Sequence, residues 1–164
     1  MKSQICSICL KSGILCRSCE DKVKSGDVSE SELKVAGMLL KLSEDRKVLK
    51  NVRLVKVVEL PSILVVVCGK DDAAKFVGAG GHIVKKLEKE LGKHLMIAEE
   101  AADVKEFAGN LLKPIPVLSV NTLYKDGEEV MKVVTGKGMP HISQGDFSDV
   151  MRLLYGKGAE MAEE

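Results

Sequence analysis

Four of the five cysteines of this chain fall within residues 6–19, as Cys6-Ser7-Ile8-Cys9 and Cys16-Arg17-Ser18-Cys19. No other feature restricts the fold as much. Each Cys-x-x-Cys turn can present two thiolates to one side of a tetrahedral ion at about 2.3 Å, and two such turns close the coordination sphere. The expectation is one structural Zn²⁺ held by Cys6, Cys9, Cys16 and Cys19. With sulfur in all four positions, no ligand position is left open for catalysis. An iron centre or a dithiol switch are the rival uses of such a set, but nothing beside the tetrad marks a redox partner. The intervening Leu10-Lys11-Ser12-Gly13-Ile14-Leu15 suggests one tight hairpin that reverses at Gly13. So short a segment cannot bury a core of its own, and metal binding replaces that core. Lys2, Lys11, Arg17, Lys22 and Lys24 surround it, as a solvated face or as contacts for phosphates.

The whole chain has 164 residues, with 25 basic against 24 acidic side chains, so any nucleic-acid contact must be a local patch. Residues 1–60 carry 12 basic and 8 acidic side chains, and the remainder carries 13 and 16. Apolar residues reach 45% but aromatics only 3%, which argues against recognition by a stacking platform. The longest apolar run, Ile63 to Cys68, is far shorter than the ~20 residues of a membrane span. With no leader-like opening, a cytoplasmic protein without a membrane partner is expected. Cys68 stands alone in that run and should be packed.

From Ser29 the pattern is helical, with Glu32 completing a capping box and Leu33, Ala36, Leu39 and Leu40 on one face. Residues 52–60 and Ile63 to Val67 read as strands. A short apolar turn from Asp71-Asp72 runs into Gly78-Ala79-Gly80-Gly81, and a helix follows with Ile83, Val84, Leu87 and Leu91 on one face. His94 to Ala98 is a strand, and residues 102–112 are a helix ended by Pro114 and Pro116, the expected hinge. Two strands, Val117 to Tyr124 and Glu128 to Thr135, then form a hairpin through Lys125-Asp126-Gly127, and a last helix carries Phe147, Val150, Met151, Leu154 and Tyr155. The acidic end should fray. The fold class is α+β: a cysteine module (1–27), an α-β-β-α-α-β domain (28–100), and a linker helix with an α-β-β-α half (101–164).

The glycine cluster joins two helices, whereas a dinucleotide fingerprint directly follows a strand, and no Gly-Lys-Ser or Gly-Lys-Thr is present. Between helices, Gly-x-x-Gly allows a sugar-phosphate backbone to approach closely, facing the amides at a helix N-terminus. The stretch Phe76-Val77-Gly78-Ala79-Gly80-Gly81-His82-Ile83-Val84-Lys85-Lys86-Leu87-Glu88-Lys89-Glu90-Leu91-Gly92 resembles the core of a KH domain, in the type II order. Residues 106–114 and 117–121 are similar to the linker and second-domain entry of the NusA-like transcription factors of archaea. The resemblance implies that Gly78, Ala79, Gly80 and Gly81 clamp the RNA backbone. Val77 and Ile83 would line the base groove, Met96 would offer a strand edge, and Lys75, Lys85 and Lys86 would supply charge. Family loops often carry a basic residue at the variable positions, which here are Ala79 and Gly80, so the electrostatic grip should be weaker. The second KH domain of that pattern should be divergent or truncated, since Gly136-Lys137-Gly138-Met139 lacks the closing glycine.

His82, His94 and His141 are isolated in sequence, with no paired-histidine motif and no nucleophile elbow, so no enzyme and no small-molecule substrate are expected. The expectation is a protein that binds single-stranded RNA in transcription elongation or RNA handling, on RNA polymerase or the ribosome. The alternative is an adaptor that binds proteins of those machines through the zinc and KH surfaces.

Overall fold

A computed structural model describes residues 1–164. It is a mixed α+β structure with two three-stranded sheets, in two compact units, Met1–Glu100 and Ala101–Glu164.

In the first unit the cysteine segment forms two short helices in place of a hairpin, α1 (Ser7–Ser12) and α2 (Arg17–Lys24). Cys6 and Cys16 are their N-cap residues, and Gly13, at φ 73°, ends α1. The small core of this segment consists of Ile5, Cys9, Cys19 and Val28, with Leu10, Leu15, Val23 and Leu33 packed around it.

Helix α3 (Glu30–Asp45) begins as its sequence suggests, with Ser29 Oγ accepting from the Glu32 amide. The capping box is only half made, because Glu32 turns away from the helix end and its Oε2 accepts from the Val57 amide at 3.3 Å. Strands β1 (Leu54–Glu59) and β2 (Ile63–Cys68) are antiparallel, and β3 (His94–Glu99) runs parallel to β2. A parallel return needs a crossover, and α4 (Ala73–Val77), a 3₁₀ turn (Ala79–Gly81) and α5 (His82–Leu91) supply it. Alternate positions Leu64, Val66 and Cys68 of β2 join one cluster with Val35, Ala36 and Leu39 of α3, Phe76 of α4, Ile83 and Leu87 of α5, and Leu95 of β3. Period two on the strand thus meets period 3.6 on the helices. Cys68 is packed as expected, and burial pushes its thiol up to about 12.

The second unit has α6 (Val104–Leu112), β4 (Val117–Lys125), β5 (Glu128–Thr135), α7 (Gln144–Tyr155) and β6 (Ala159–Glu163). Side chains of Asp103 and Ser143 cap the two helices, each accepting an amide three residues on. The rings of Phe107 and Tyr155 meet at 5.6 Å between centroids, tilted by 58°. Strands β4 and β5 are antiparallel, while β6 is parallel to β5. The final residues are therefore a strand and not a frayed tail. The segment around Pro114 and Pro116 is no hinge either. It lies inside this unit, with Ile115 buried, the Ile115 amide donating to Leu112, and Gly136 donating to the Pro116 carbonyl.

Both sheets have the same order and sense: first strand antiparallel to the second, third parallel to it. Where the first unit has two helices and a glycine turn between its second and third strands, the second has only α7. Gly136 and Gly138 serve packing there. A Cβ on either would come within 2.8 Å of Pro116 Cγ or 2.9 Å of Ile115 Cγ1, respectively.

Candidate functional site

The four cysteines predicted as ligands are brought together, their sulfurs all within 4.8 Å of one another. Each Cys-x-x-Cys occupies the first turn of a short helix, the first cysteine at the N-cap and the second three residues on. The turn thus folds both sulfurs of a pair towards one point, and Cys6 Sγ lies 3.2 Å from Cys9 Sγ. Amides cross-link the pairs: Cys16 N donates to Cys9 Sγ at 3.0 Å, and Cys6 N to Cys19 Sγ at 3.5 Å. A tetrahedron with metal–sulfur bonds of about 2.3 Å has sulfur–sulfur edges of about 3.8 Å, within the observed span. The site fits one metal ion.

The thiols also show how such a site holds charge. Hydrogen bonds from Cys9, its amide first and then its thiol, bring Cys6 down to about 7. The Cys16 amide pulls Cys9 down, but the Cys6 thiol and burial outweigh it, and Cys9 is pushed up to about 12. Four sulfurs at this spacing cannot all ionise without a cation among them. Cys9 and Cys19 are buried, and Cys6 and Cys16 are exposed. On the same module Ile8 and Ile14 stand 75% and 77% exposed.

The glycine turn is a second feature, held from two strands. Asp72, just before α4, accepts from the Arg53 amide at 2.9 Å and pairs with Lys75 Nζ at 2.7 Å. Glu99 at the end of β3 accepts from the Ala73 amide at 3.1 Å, so the start of α4 is tied both to the entry of β1 and to the end of β3. Arg53 and Glu100 form a further ion pair. Past α4 the chain turns at Gly78, whose φ of 73° and ψ of 172° are open only to glycine at low cost. A Cβ there would also lie 2.9 Å from Ile83 Cδ1. Gly80 (φ 61°) and Gly81 (φ 73°) complete the turn, and a Cβ on Gly80 would meet nothing within 4 Å. Its tip is open to approach.

A shallow hollow beside the tip is lined by Ala79, Gly80, His82, Lys85, Lys86 and Lys89. His82, Lys85 and Lys89 follow helical spacing, and all three lysines are exposed. His82 and Lys89 were absent from the expected set, although their spacing from Lys85 was the signal that could have found them. Two expected members sit differently. Ile83 is 1% exposed in the core beneath Gly78, because its i, i+4 partner Leu87 faces the same way, so it braces the turn and cannot line a groove. Lys75 is engaged by Asp72, which raises its pKa. Val77 is exposed at the end of α4, and Met96 is half-buried on β3 opposite Val65. His94 sits apart, with Nδ1 at 2.7 Å from Glu88 Oε1.

No protein-family model matches this chain, and no curated protein matches it. Among solved structures, one described as "Crystal structure of APE1850" is similar over 63% of this chain and 79% of its own, at 19% identity and a TM-score of 0.48. No helix is long and apolar enough to cross a membrane.

Proposed function

We propose that this chain binds single-stranded RNA through a type II KH domain, with a structural Zn²⁺ on Cys6, Cys9, Cys16 and Cys19. The observation that carries this reading is the glycine turn itself. Its two boundary glycines hold positive φ, its tip is open, and three lysines extend from it along α5. The helix order α4–turn–α5 within an α-β-β-α-α-β unit supports the same reading, as does the resemblance of residues 76–92 to KH cores.

In this mechanism the RNA backbone crosses the turn where side chains are absent. The N-terminus of α5 has no side-chain cap, and its partial positive charge faces phosphate oxygens. Lys85, Lys86 and Lys89 add charge along one flank, Val77 offers apolar contact beside the turn, and Met96 lies on the third strand. Ile83 fixes the turn from below. Asp72 and Glu99 position α4, so that the turn does not have to be ordered by the ligand. Held by Cys6, Cys9, Cys16 and Cys19 with no ligand position open, a metal would brace the module without taking part in chemistry, and the proposed role is binding without catalysis. Transcription elongation or another step of RNA handling is the proposed setting, with RNA polymerase or the ribosome as the partner machine in the cytoplasm.

Fluorescence anisotropy against a random single-stranded RNA pool tests the clamp. Wild type should bind in a salt-sensitive way, and the double variant Ala79→Asp/Gly80→Asp should lose binding while keeping its circular dichroism and zinc content. Binding that survives the double change sinks the clamp. A folded, zinc-loaded wild type that binds no RNA at low salt points instead to the adaptor reading, for which exposed Ile8 and Ile14 offer an apolar contact.

A further inference from the structure

Two three-stranded sheets present four edges, and on three of them outward backbone groups are already bonded by other parts of the chain. On β1 the backbone of Lys2 bridges Val52 and Leu54, Gln4 Nε2 donates to the Val55 carbonyl at 3.0 Å, and Glu32 takes the Val57 amide. On β3 the Glu88 side chain takes the Leu95 amide at 2.8 Å. On β6 the Gln144 amide group bonds both ways, accepting from Met161 N at 2.8 Å and donating to the Ala159 carbonyl at 2.7 Å. Side chains thus satisfy outward backbone groups that would otherwise template another strand. The outer edge of β4 has no such guard.

This edge is also the longest. Residues 117–125 read Val-Leu-Ser-Val-Asn-Thr-Leu-Tyr-Lys, rich in strand formers, with no proline and one charge at the end. Leu118, Leu123 and Tyr124 are 40%, 41% and 77% exposed. The hairpin turn fixes which groups point outward. Asp126 (φ 52°) and Gly127 (φ 84°) form a two-residue turn, so the flanking pair Lys125–Glu128 exchanges hydrogen bonds. Alternation along an antiparallel ladder then directs Leu123, Asn121 and Ser119 towards β5, and leaves the N–H and C=O of Tyr124, Thr122 and Val120 facing outward.

We propose that β4 pairs with β4 of a second copy of this chain, antiparallel across a two-fold axis at Thr122, joining two sheets into one of six strands. The strand is complementary to itself in this sense. Thr122 faces Thr122, Val120 faces Tyr124, Asn121 faces Leu123, and the single charge, Lys125, faces Ser119. Threonine pairs and aromatic–β-branched pairs are favourable across a ladder. A parallel arrangement would instead stack Lys125 on Lys125. The assembly stops at two, because the far edge of each sheet is β6, which Gln144 already covers. This inference does not depend on the RNA reading, whose residues lie in the first unit.

Sedimentation equilibrium of the full, metal-loaded chain is the test. Wild type should show a reversible monomer–dimer equilibrium with nothing larger. Thr122→Lys places two ammonium groups face to face on the axis and should weaken the dimer about tenfold or more. Thr122→Glu should do the same, and an equimolar mixture of the two variants should regain the dimer. Circular dichroism matching wild type confirms that each variant folds, and position 122 is exposed in the monomer. A wild type that stays monomeric overturns the proposal. So does a dimer indifferent to both substitutions, assembly beyond two, or a mixture that fails to re-associate.

Discussion

Glu32 is 1% exposed on the first turn of α3, with Oε2 bonded to the Val57 amide and Oε1 without a partner. Burial raises its pKa against the opposing pull of that amide and of Lys56. A carboxyl whose folded pKa is raised contributes most to stability below its ordinary value of 4.5, and that contribution is lost as pH rises through the folded pKa. Glu32→Gln keeps an acceptor for Val57 and removes the charge. At neutral pH the variant should be more stable than wild type by on the order of 1 kcal/mol in urea unfolding. Below pH 4.5 the difference should vanish, and a constant difference at both pH values would discount the buried charge. The spacing Ser29-x-x-Glu32 could be read in the sequence, but only one of its two bonds forms, because the outward Val57 amide of β1 competes for the same carboxylate. Ile83 teaches a related lesson: its place on the apolar face with Leu87 was legible from spacing alone, and that face, not the groove, decides where it points.

Elements with a strong internal period were the legible ones. Helix α3, the β1–β2–α4–α5–β3 order and helix α7 follow from 3.6-residue and two-residue patterns. Helices α1 and α2 did not, since segments of six and eight residues carry little periodic signal and are shaped by where their cysteines must converge. Strand β6 was hidden for a different reason. Ala-Glu-Met-Ala-Glu has poor strand propensity, and it becomes a strand because β5 offers it a ladder and Gln144 closes its other side. A metal ion held by the four cysteines, which the site fits, would brace this module in a way that can be measured element by element. Chelation should abolish hydrogen-exchange protection across α1 and α2, where metal binding is worth ~10 kcal/mol. The amides of β2, buried at all six positions, should keep theirs. Unchanged protection in α1 and α2 after the metal is stripped would mean that the Ile5–Val28 core holds the module unaided.

Across the whole molecule a net charge of +1 leaves little long-range attraction for a polyanion, so under the proposed clamp RNA affinity should come from the local row alone. With Lys75 engaged by Asp72, three lysines remain beside the turn. Their counterion release predicts a slope of about −2 for the logarithm of affinity against the logarithm of salt concentration, at about 0.7 per contact on single strands. An anisotropy series over several salt concentrations measures it, and a slope steeper than about −4 would place phosphate contacts beyond this row. The two units repeat one strand order, yet only the first inserts the extra helix and glycine turn, a difference that Gly136-Lys137-Gly138-Met139, with no closing glycine, already announced in the sequence. In both units the strand that completes the sheet comes last and pairs in parallel with its predecessor. During synthesis from the N-terminus, the first sheet can therefore close once residue 99 has left the ribosome, but the second must wait for residue 163. Until then the β4–β5 hairpin is exposed along both of its edges, and a ribosome that pauses between residues 135 and 159 would hold it in its most adhesive form.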